Sequence, residues 1–338
     1  MADDIWANSP ADGFAFARAL VDGDPQVLVV AQGRAWTLRT VLSNRHAAGT
    51  IAGLLPDWDS VCDDVEQWLA TGGPDTAPGA VPDPGDVLTP VERPQIFQAA
   101  ANYRRHVIEL MVASPRPEHV CSSESQRRQF ATELMDQRAA SGTPTVFAGL
   151  PSSLTPPFGT VVIPEITDEC DWELELAVVL KSDAYLVPRE RAWEHIAGYT
   201  IVNDVTMRDR IYPTGDSSRG ADWIACKSAP TFLPVGPLVV PARYVPDPMA
   251  LTITLRLNHE VMQNEAASDM IFDIPRLLEH ASACARLQAG DLLLTGSPAG
   301  NGVHHGRFLE CGDVMTGSIT GLGIQRTPVT STRESAHP

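Results

Sequence analysis

The polar and apolar positions of residues 171–180, DWELELAVVL, alternate and then cease to alternate. Asp171, Glu173 and Glu175 recur at every second position, with Trp172, Leu174 and Leu176 between them. A period of two belongs to a β-strand, so the pattern puts the three carboxylates on one face. Ala177 to Leu180 is apolar on both faces, which predicts a strand running into an interior. An unpaired charge there costs several kcal/mol or more. The acidic residues at the mouth of this strand therefore need a partner.

The same reading places strands at 145–150, 160–164, 172–180, 198–203, 236–240, 251–257, 291–296 and 314–320. QVLVVAQGRAWTL (26–38) predicts a hairpin turning in AQGRA. Helical spacing is found in 57–73, through Val61, Val65, Trp68 and Leu69, closing on Gly72-Gly73. It recurs in 273–287, where Ile274, Leu277, Leu278, Ala281 and Ala285 form one stripe. The segment 189–197 also reads as helical, 122–141 as a polar helix, and 95–112 as a strand that becomes a helix. Many strands with few helices between them predict a mainly β, α+β fold rather than a doubly wound one. The Pro-, Gly- and Asp-rich stretch 72–94 marks a boundary. It divides an N-terminal region, 1–93, from a larger unit, 94–330, followed by a polar tail at 331–338 expected to fray.

The chain has 338 residues and a formal charge of -17. Such a balance disfavours nucleic acid and anionic membrane surfaces, both of which call for basic partners. MADDIWANSP lacks the basic and apolar regions of a signal peptide, and no run of about 18 apolar residues exists. Six cysteines lie far apart with no CxxC pair, as expected of reduced thiols. The expectation is a cytoplasmic protein.

Chemistry gathers around the acidic strand. Asp204 follows the apolar run YTIV, after Asn203, in GYTIVNDVTMRD (198–209). Glu173, Glu175 and Asp204 would repel one another if they converged, unless a cation joined them. Oxygen-only ligands select hard ions such as Mg²⁺, Mn²⁺ or Ca²⁺ over zinc. His106 and Glu109 in NYRRHVIELM are three apart and share a helix face. Such a pair can form a general base, although on spacing alone a surface histidine beside a coincidental glutamate is commoner. GSPAGNG (296–302) follows the strand DLLLT; its amides could hold a carboxylate or keto oxygen, or it is a plain turn. It contains neither GxGxxG nor GxxxxGK[ST]. His304 and His305 are adjacent, so their side chains point apart, and they read as loop residues. Ser228 and Ser297 lie in no GxSxG elbow.

Taken together, these motifs resemble the fumarylacetoacetate hydrolase superfamily over residues 95–328. ANYRRHVIEL is similar to its NYxxHxxE stretch, DWELELAVVL to DYExELAVV, and GYTIVNDVTMRD to GYTxxNDVSARD. KSAPTFLPVGP resembles KSFDTFxPxGP, SDMIFDIPRLLEH resembles TSDMIFSxPxLI, and LLLTGSPAGNG with LECGDVMTGSITGLG resembles ILTGTPxGVG…LxxGDxVExxIxGLG. The resemblance implies a mixed β-sandwich roll, normally a homodimer, with no nucleic-acid or membrane partner. It implies that Glu173, Glu175 and Asp204 bind Mg²⁺ or Mn²⁺, with Ca²⁺ as the alternative.

By the same resemblance, His106 and Glu109 lie on a lid, here about 103–144, and Lys227 joins them as a catalytic residue. Tyr103, Arg208, Thr295, Gly296 and Ser297 are the implied substrate contacts. The implied activity is hydrolysis of a C–C bond in a β-diketo acid of the acylpyruvate type, such as fumarylpyruvate or maleylpyruvate. His106, oriented by Glu109, would take a proton from water, and Lys227 would stabilise the pyruvate enolate. A histidine base predicts activity rising with pH through about 6–7. A 2-oxo acid decarboxylase or keto–enol isomerase would use the same site, and a ligand-binding protein without activity is the remaining alternative. Two positions depart from the family pattern: Gly149 stands where many members have lysine, and Ile211 where many have glutamine.

Overall fold

Three sheets carry the architecture, and a computed structural model describes it over residues 5–42, 49–80, 82–113, 122–212 and 220–333. The first sheet is antiparallel and holds β1 (Ala15–Val21), β2 (Asp24–Ala31) and β3 (Arg34–Thr37). The expected hairpin is β2–β3, and its turn residues Gln32 and Gly33 both have positive φ, 52° and 71°. That conformation matches the twist of the flanking strands. The helix expected at 57–73 is α1 (Trp58–Ala70), which buries Trp58, Val61, Cys62 and Val65.

The remaining elements run in order. They are β4 (Ile96–Ala100), α2 (Arg104–Ala113), α3 (Glu124–Ser141), β5 (Thr145–Gly149), β6 (Val161–Ile163), β7 (Leu174–Leu180) and β8 (Ile196–Asn203). Then come the short helix α4 (Trp223–Lys227), β9 (Val240–Pro241), β10 (Thr252–Leu257), β11 (Glu260–Ala266) and α5 (Ile274–Cys284). β12 (Leu292–Leu294), β13 (Val314–Ile319) and β14 (Ile324–Ser331) complete the set. The central six-stranded sheet has the order β9-β8-β7-β12-β4-β5, and a five-stranded sheet the order β11-β10-β13-β14-β6.

β7, the acidic strand, is central and buried along its whole length. Leu174, Leu176, Val178 and Leu180 on one face pack with Ile253 and Leu255 of β10 and Met315 of β13. Ala177 and Val179 on the other face pack with Phe14, Phe16 and Trp58 of the N-terminal region. Trp58 also donates its indole N–H to Ala197 O of β8 at 3.0 Å. Glu173 and Glu175 lie in register with Ala177 and Val179, so the carboxylates occupy the end of the face that the N-terminal region covers.

Several expectations need correction. The strand starts at Leu174 rather than 172; Cys170–Asp171 pairs instead with Thr206–Met207, which takes Asp171 out of the regular alternation. The run 236–240 is mostly irregular, and only Val240–Pro241 joins the central sheet, since Pro237 has no N–H for a ladder. Residues 189–195 form a 3-10 helix. β11 and β14 were not anticipated. EVMQNEA is largely polar, while IQRTPVTS contains a proline and buries Gln325 and Thr327. β14 also ties Thr330 and Ser331 to Val162 and Ile163, so the expected frayed tail begins inside a strand. Of the expected lid, 114–121 lies outside the described residues, as does 334–338 of the tail. No described helix is long and apolar enough to cross a membrane.

Candidate metal centre

β7 and β8 are antiparallel, with Glu175 opposite Val202 and Leu174 opposite Asn203. Past the last pair, Asp204 N donates to Glu173 O at 2.8 Å, and Glu173 N donates to Asn203 Oδ1 at 2.9 Å. Asn203 thus caps the acidic strand and brings Asp204 beside Glu173. All three carboxylates are buried, and one oxygen from each lies within 4.8 Å of the others. The three proposed ligands, spread over 32 positions of sequence, converge on one point.

Cations surround this point. Lys227, at the end of α4, is buried and donates to Glu173 Oε2 at 2.6 Å, to Asp204 O at 3.1 Å and to Asp204 Oδ2. Arg208 bridges Asp171 Oδ2 at 2.8 Å and Glu173 Oε1 at 2.5 Å. Gln98 of β4 donates to Asp204 Oδ1 at 3.0 Å, and the Gly296 amide donates to Glu175 Oε2 at 2.7 Å.

The charges do not balance. Four buried carboxylates, Asp171, Glu173, Glu175 and Asp204, face two cations, Arg208 and Lys227. Burial would raise the Glu173 carboxyl, but Arg208 and Lys227 overcome it and hold it near about 2. Asp204 is raised to about 6 by burial, against the pull of Lys227. Glu175 is pushed well above the carboxylate range, first by burial and then by Asp204; Lys227 opposes the shift and Glu173 adds to it. No charged group among the described residues is in hydrogen-bond contact with it; its one partner there is the backbone amide of Gly296.

The deficit of two charges is that of a divalent cation. Oxygens bound to a hard ion sit about 2.0–2.6 Å from it, so two of them span up to about 4–5 Å, as the carboxylate oxygens here do. A carboxylate oxygen has lone pairs for both a hydrogen bond and an ion, so Lys227 and Gln98 need not leave. The donor set is all oxygen, which suits a hard ion. Glu173, Glu175 and Asp204 therefore fit a divalent cation.

The structure places the other expected residues as follows. His106, in the first turn of α2, is buried, and its Nδ1 has no hydrogen-bond partner among the described residues. Burial lowers its pKa to about 3 against the opposing charge of Glu173, so it is neutral throughout the working range rather than titrating at 6–7. Glu109 is not on His106; it pairs with Arg105 at 2.8 Å, and Arg105 also pairs with Glu265. Tyr103 is fully buried, with its hydroxyl 3.4 Å from Thr295 Oγ1. Thr295 in turn donates to Leu176 O at 2.9 Å, and Ser297 Oγ accepts from Gln263 at 2.9 Å and Asn301 at 3.1 Å. These bonds fix the GSPAGNG loop against β7.

Sequence reasoning missed Gln98 and mistook the place of Asp171. Gln98 is the one amide in the strand IFQAA, a polar residue in an apolar run, which is the signal that could have found it. Asp171 is not a ligand: it accepts from Arg208 Nε, Gly302 N at 2.5 Å and Val303 N at 3.2 Å, tying the loop to the acidic cluster. At Gly149 a side chain would begin 3.1 Å from Gln98 Nε2 and 3.2 Å from Ile96 Cγ2, so Gln98 and Ile96 crowd the place where a lysine would start.

Residues 95–330 match the family described as fumarylacetoacetate (FAA) hydrolase C-terminal, and the chain belongs to that family. It is 34% identical over 240 residues to oxaloacetate tautomerase YisK of Bacillus subtilis, an alignment covering 69% of each chain. Its fold matches a fumarylacetoacetate hydrolase from the psychrophile Exiguobacterium antarcticum with a TM-score of 0.71 and 25% identity, covering 94% of this chain and 100% of that one. It also matches a maleylpyruvate hydrolase from Sphingobium sp. SYK-6 in complex with manganese(II) and pyruvate, with a TM-score of 0.67 and 23% identity. The coverage there is 94% of this chain and 99% of that one. Members of the family are thus enzymes, among them hydrolases and tautomerases.

Proposed function

We propose that this chain is a divalent-cation-dependent keto–enol tautomerase of a 2-oxo acid. The observation that carries this reading is the state of His106. It is a buried, neutral imidazole near the acidic cluster, with no carboxylate on its Nδ1. Moving a proton between carbon and oxygen needs one such group. Activating water for C–C hydrolysis needs a histidine oriented by a carboxylate, and Glu109 is engaged by Arg105. The tautomerase relative, similar over 69% of both chains, supports the same choice.

Glu173, Glu175 and Asp204 would hold the ion, Mg²⁺ or Mn²⁺; when bound it supplies Lewis-acid polarisation and a template for the carboxylate and keto groups. His106 removes a proton from the carbon beside the keto group and delivers it to the keto oxygen, or runs the same transfer in reverse. The C–H electron pair becomes the enol double bond, and the carbonyl pair moves to oxygen. Lys227, kept protonated by Asp204 and Glu173 despite burial, offers positive charge where the enolate oxygen develops.

C–C hydrolysis is the second reading, favoured by one observation. Glu109 lies one turn from His106 on the same helix, so release from Arg105 would let it orient the ring. One panel separates the two. With Mg²⁺ present, oxaloacetate enol should lose its ultraviolet absorbance faster than in buffer, with no pyruvate or CO₂ formed at the same rate. Rapid pyruvate release from acylpyruvates, with no effect on enol decay, would overturn the tautomerase reading in favour of hydrolysis.

A further inference from the structure

We infer that Asn102 is a positioning residue for the cation site, acting on Glu175 through the peptide bond between Thr295 and Gly296. Glu175 is the ligand with the fewest ties: Oε2 accepts from Gly296 N at 2.7 Å, its one partner among the described residues. That N–H belongs to the same peptide unit as the carbonyl of Thr295. The carbonyl in turn accepts from Asn102 Nδ2 at 2.8 Å. A trans peptide points its C=O and its N–H in opposite directions, so holding the one aims the other. Asn102 thereby turns the Gly296 N–H onto Glu175.

The local backbone does not choose this orientation by itself. Gly296 has φ 92°, a value that favours glycine. Reversing the peptide would change that φ by about half a turn, into a range open to every residue. The reversed peptide would set Thr295 O against Glu175, a carbonyl dipole facing the carboxylate that an ion needs ionised. Asn102 excludes that state, and its own amide has no freedom to give way. It is buried, its Nδ2 also donates to Phe272 O at 3.0 Å, and its Oδ1 accepts from Phe272 N at 2.9 Å. A backbone N–H can only donate, so Oδ1 must face Phe272 N and Nδ2 must face Thr295 O. Thr295 is anchored from its other side by its N–H and its hydroxyl, which donate to Leu176 O at 3.1 Å and 2.9 Å.

With Oε2 held by the amide, Glu175 meets an ion with its side-chain conformation already chosen. A carbonyl polarised by Asn102 also makes the N–H of its own peptide a stronger donor. Asn102 stands two residues before α2, so one side chain ties the start of the helix that carries His106 to the loop that holds Glu175. The competing role is a plain brace between that loop and residues 271–272, since Asn102 O also accepts from Ile271 N at 2.7 Å. A brace would matter to stability alone. The inference rests on the cation site of the proposed function and not on the reaction run there.

The test is calorimetric titration of Mg²⁺ into the chelator-treated full-length chain, with crystal structures of the metal-free variants. Asn102→Ala removes the donor. Asn102→Asp keeps the shape and the bond from Phe272 N, but sets an oxygen against Thr295 O. Each should weaken Mg²⁺ binding by about 10–100-fold, the usual worth of a group that orients a ligand from behind. Phe272→Leu loosens the same junction through a buried side chain and leaves the backbone bonds of Asn102 in place. It should lower the melting temperature and keep Mg²⁺ affinity within a few-fold of wild type. The structure of either Asn102 variant should show Gly296 N–H turned off Glu175. Unchanged affinity in a folded Asn102 variant, an equal loss in Phe272→Leu, or Gly296 N–H still on Glu175 in Asn102→Ala would overturn the inference. A wild type that binds no Mg²⁺ overturns the cation site together with this inference; a wild type that binds it while Asn102→Ala binds it equally well overturns this inference alone.

Discussion

Two glutamates separated by one residue should respond to the same substitution with opposite signs. Glu175 has a backbone amide as its one partner, and burial, Asp204 and Glu173 all push its proton affinity up. Glu173 is held by Lys227 at 2.6 Å and Arg208 at 2.5 Å. In metal-free protein, Glu175→Gln keeps the acceptor for Gly296 N and deletes an uncompensated charge. An unfolded chain ionises this carboxyl near 4.5, whereas the folded chain does so only well above that value. The folded state therefore holds an extra proton between the two, and wild-type stability falls as pH rises through that window. The variant has no such proton. It should match the wild type near pH 4.5 and overtake it above, by at most about 1.4 kcal/mol per pH unit and about 1–3 kcal/mol at neutral pH.

Glu173→Gln should instead cost about 3–5 kcal/mol, because it breaks one buried ion pair of Arg208 and one of Lys227. Thermal unfolding in chelator, scanned over pH, reads both. Magnesium should then reverse the Glu175→Gln ranking. A ligand at a hundred times its dissociation constant stabilises by about 2.7 kcal/mol, a gain the wild type should receive and the variant should lose. A Glu175→Gln protein that is less stable than wild type in chelator at neutral pH, or equally stabilised by Mg²⁺, refutes the reasoning.

Asp171→Asn removes the charge that pairs with Arg208 Nε and leaves one acceptor oxygen where two accept from loop amides; chemical denaturation should show a loss of about 3–5 kcal/mol. His106→Ala should lower turnover by about 10²–10⁴-fold, while calorimetric Mg²⁺ affinity stays within a few-fold of wild type. Lys227→Met leaves Glu173 and Asp204 without their shared ammonium; its melting point should fall in chelator and rise with Mg²⁺ by more than the wild type's does.

The alternation in DWELELAVVL was enough to predict a buried acidic strand, because a two-residue period and an apolar end constrain which way side chains point. Asp204 could be paired with it because a carboxylate at the end of the apolar run YTIV, past Asn203, has no simple reason to be there. The convergence itself depends on Asn203, which bonds Glu173 N across the sheet, a tertiary contact no local pattern reports. Asp171 shared the alternation yet left the face, since its oxygens had better partners in Arg208 and the loop amides. Gln98 stood out as a polar residue in an apolar strand, but its role did not, because it acts through Asp204, 106 positions away. β14 escaped because it buries glutamine and threonine where a pattern search expects aliphatic residues.

The central claim is that three carboxylates from β7 and the end of β8 form one cation site on which activity depends. Calorimetric titration of Mg²⁺ or Mn²⁺ into chelator-treated wild type and into Glu173→Gln, Glu175→Gln and Asp204→Asn tests it most directly. The account predicts one ion per chain in the wild type and markedly weakened binding in each folded variant. Unchanged affinity in all three variants would contradict it.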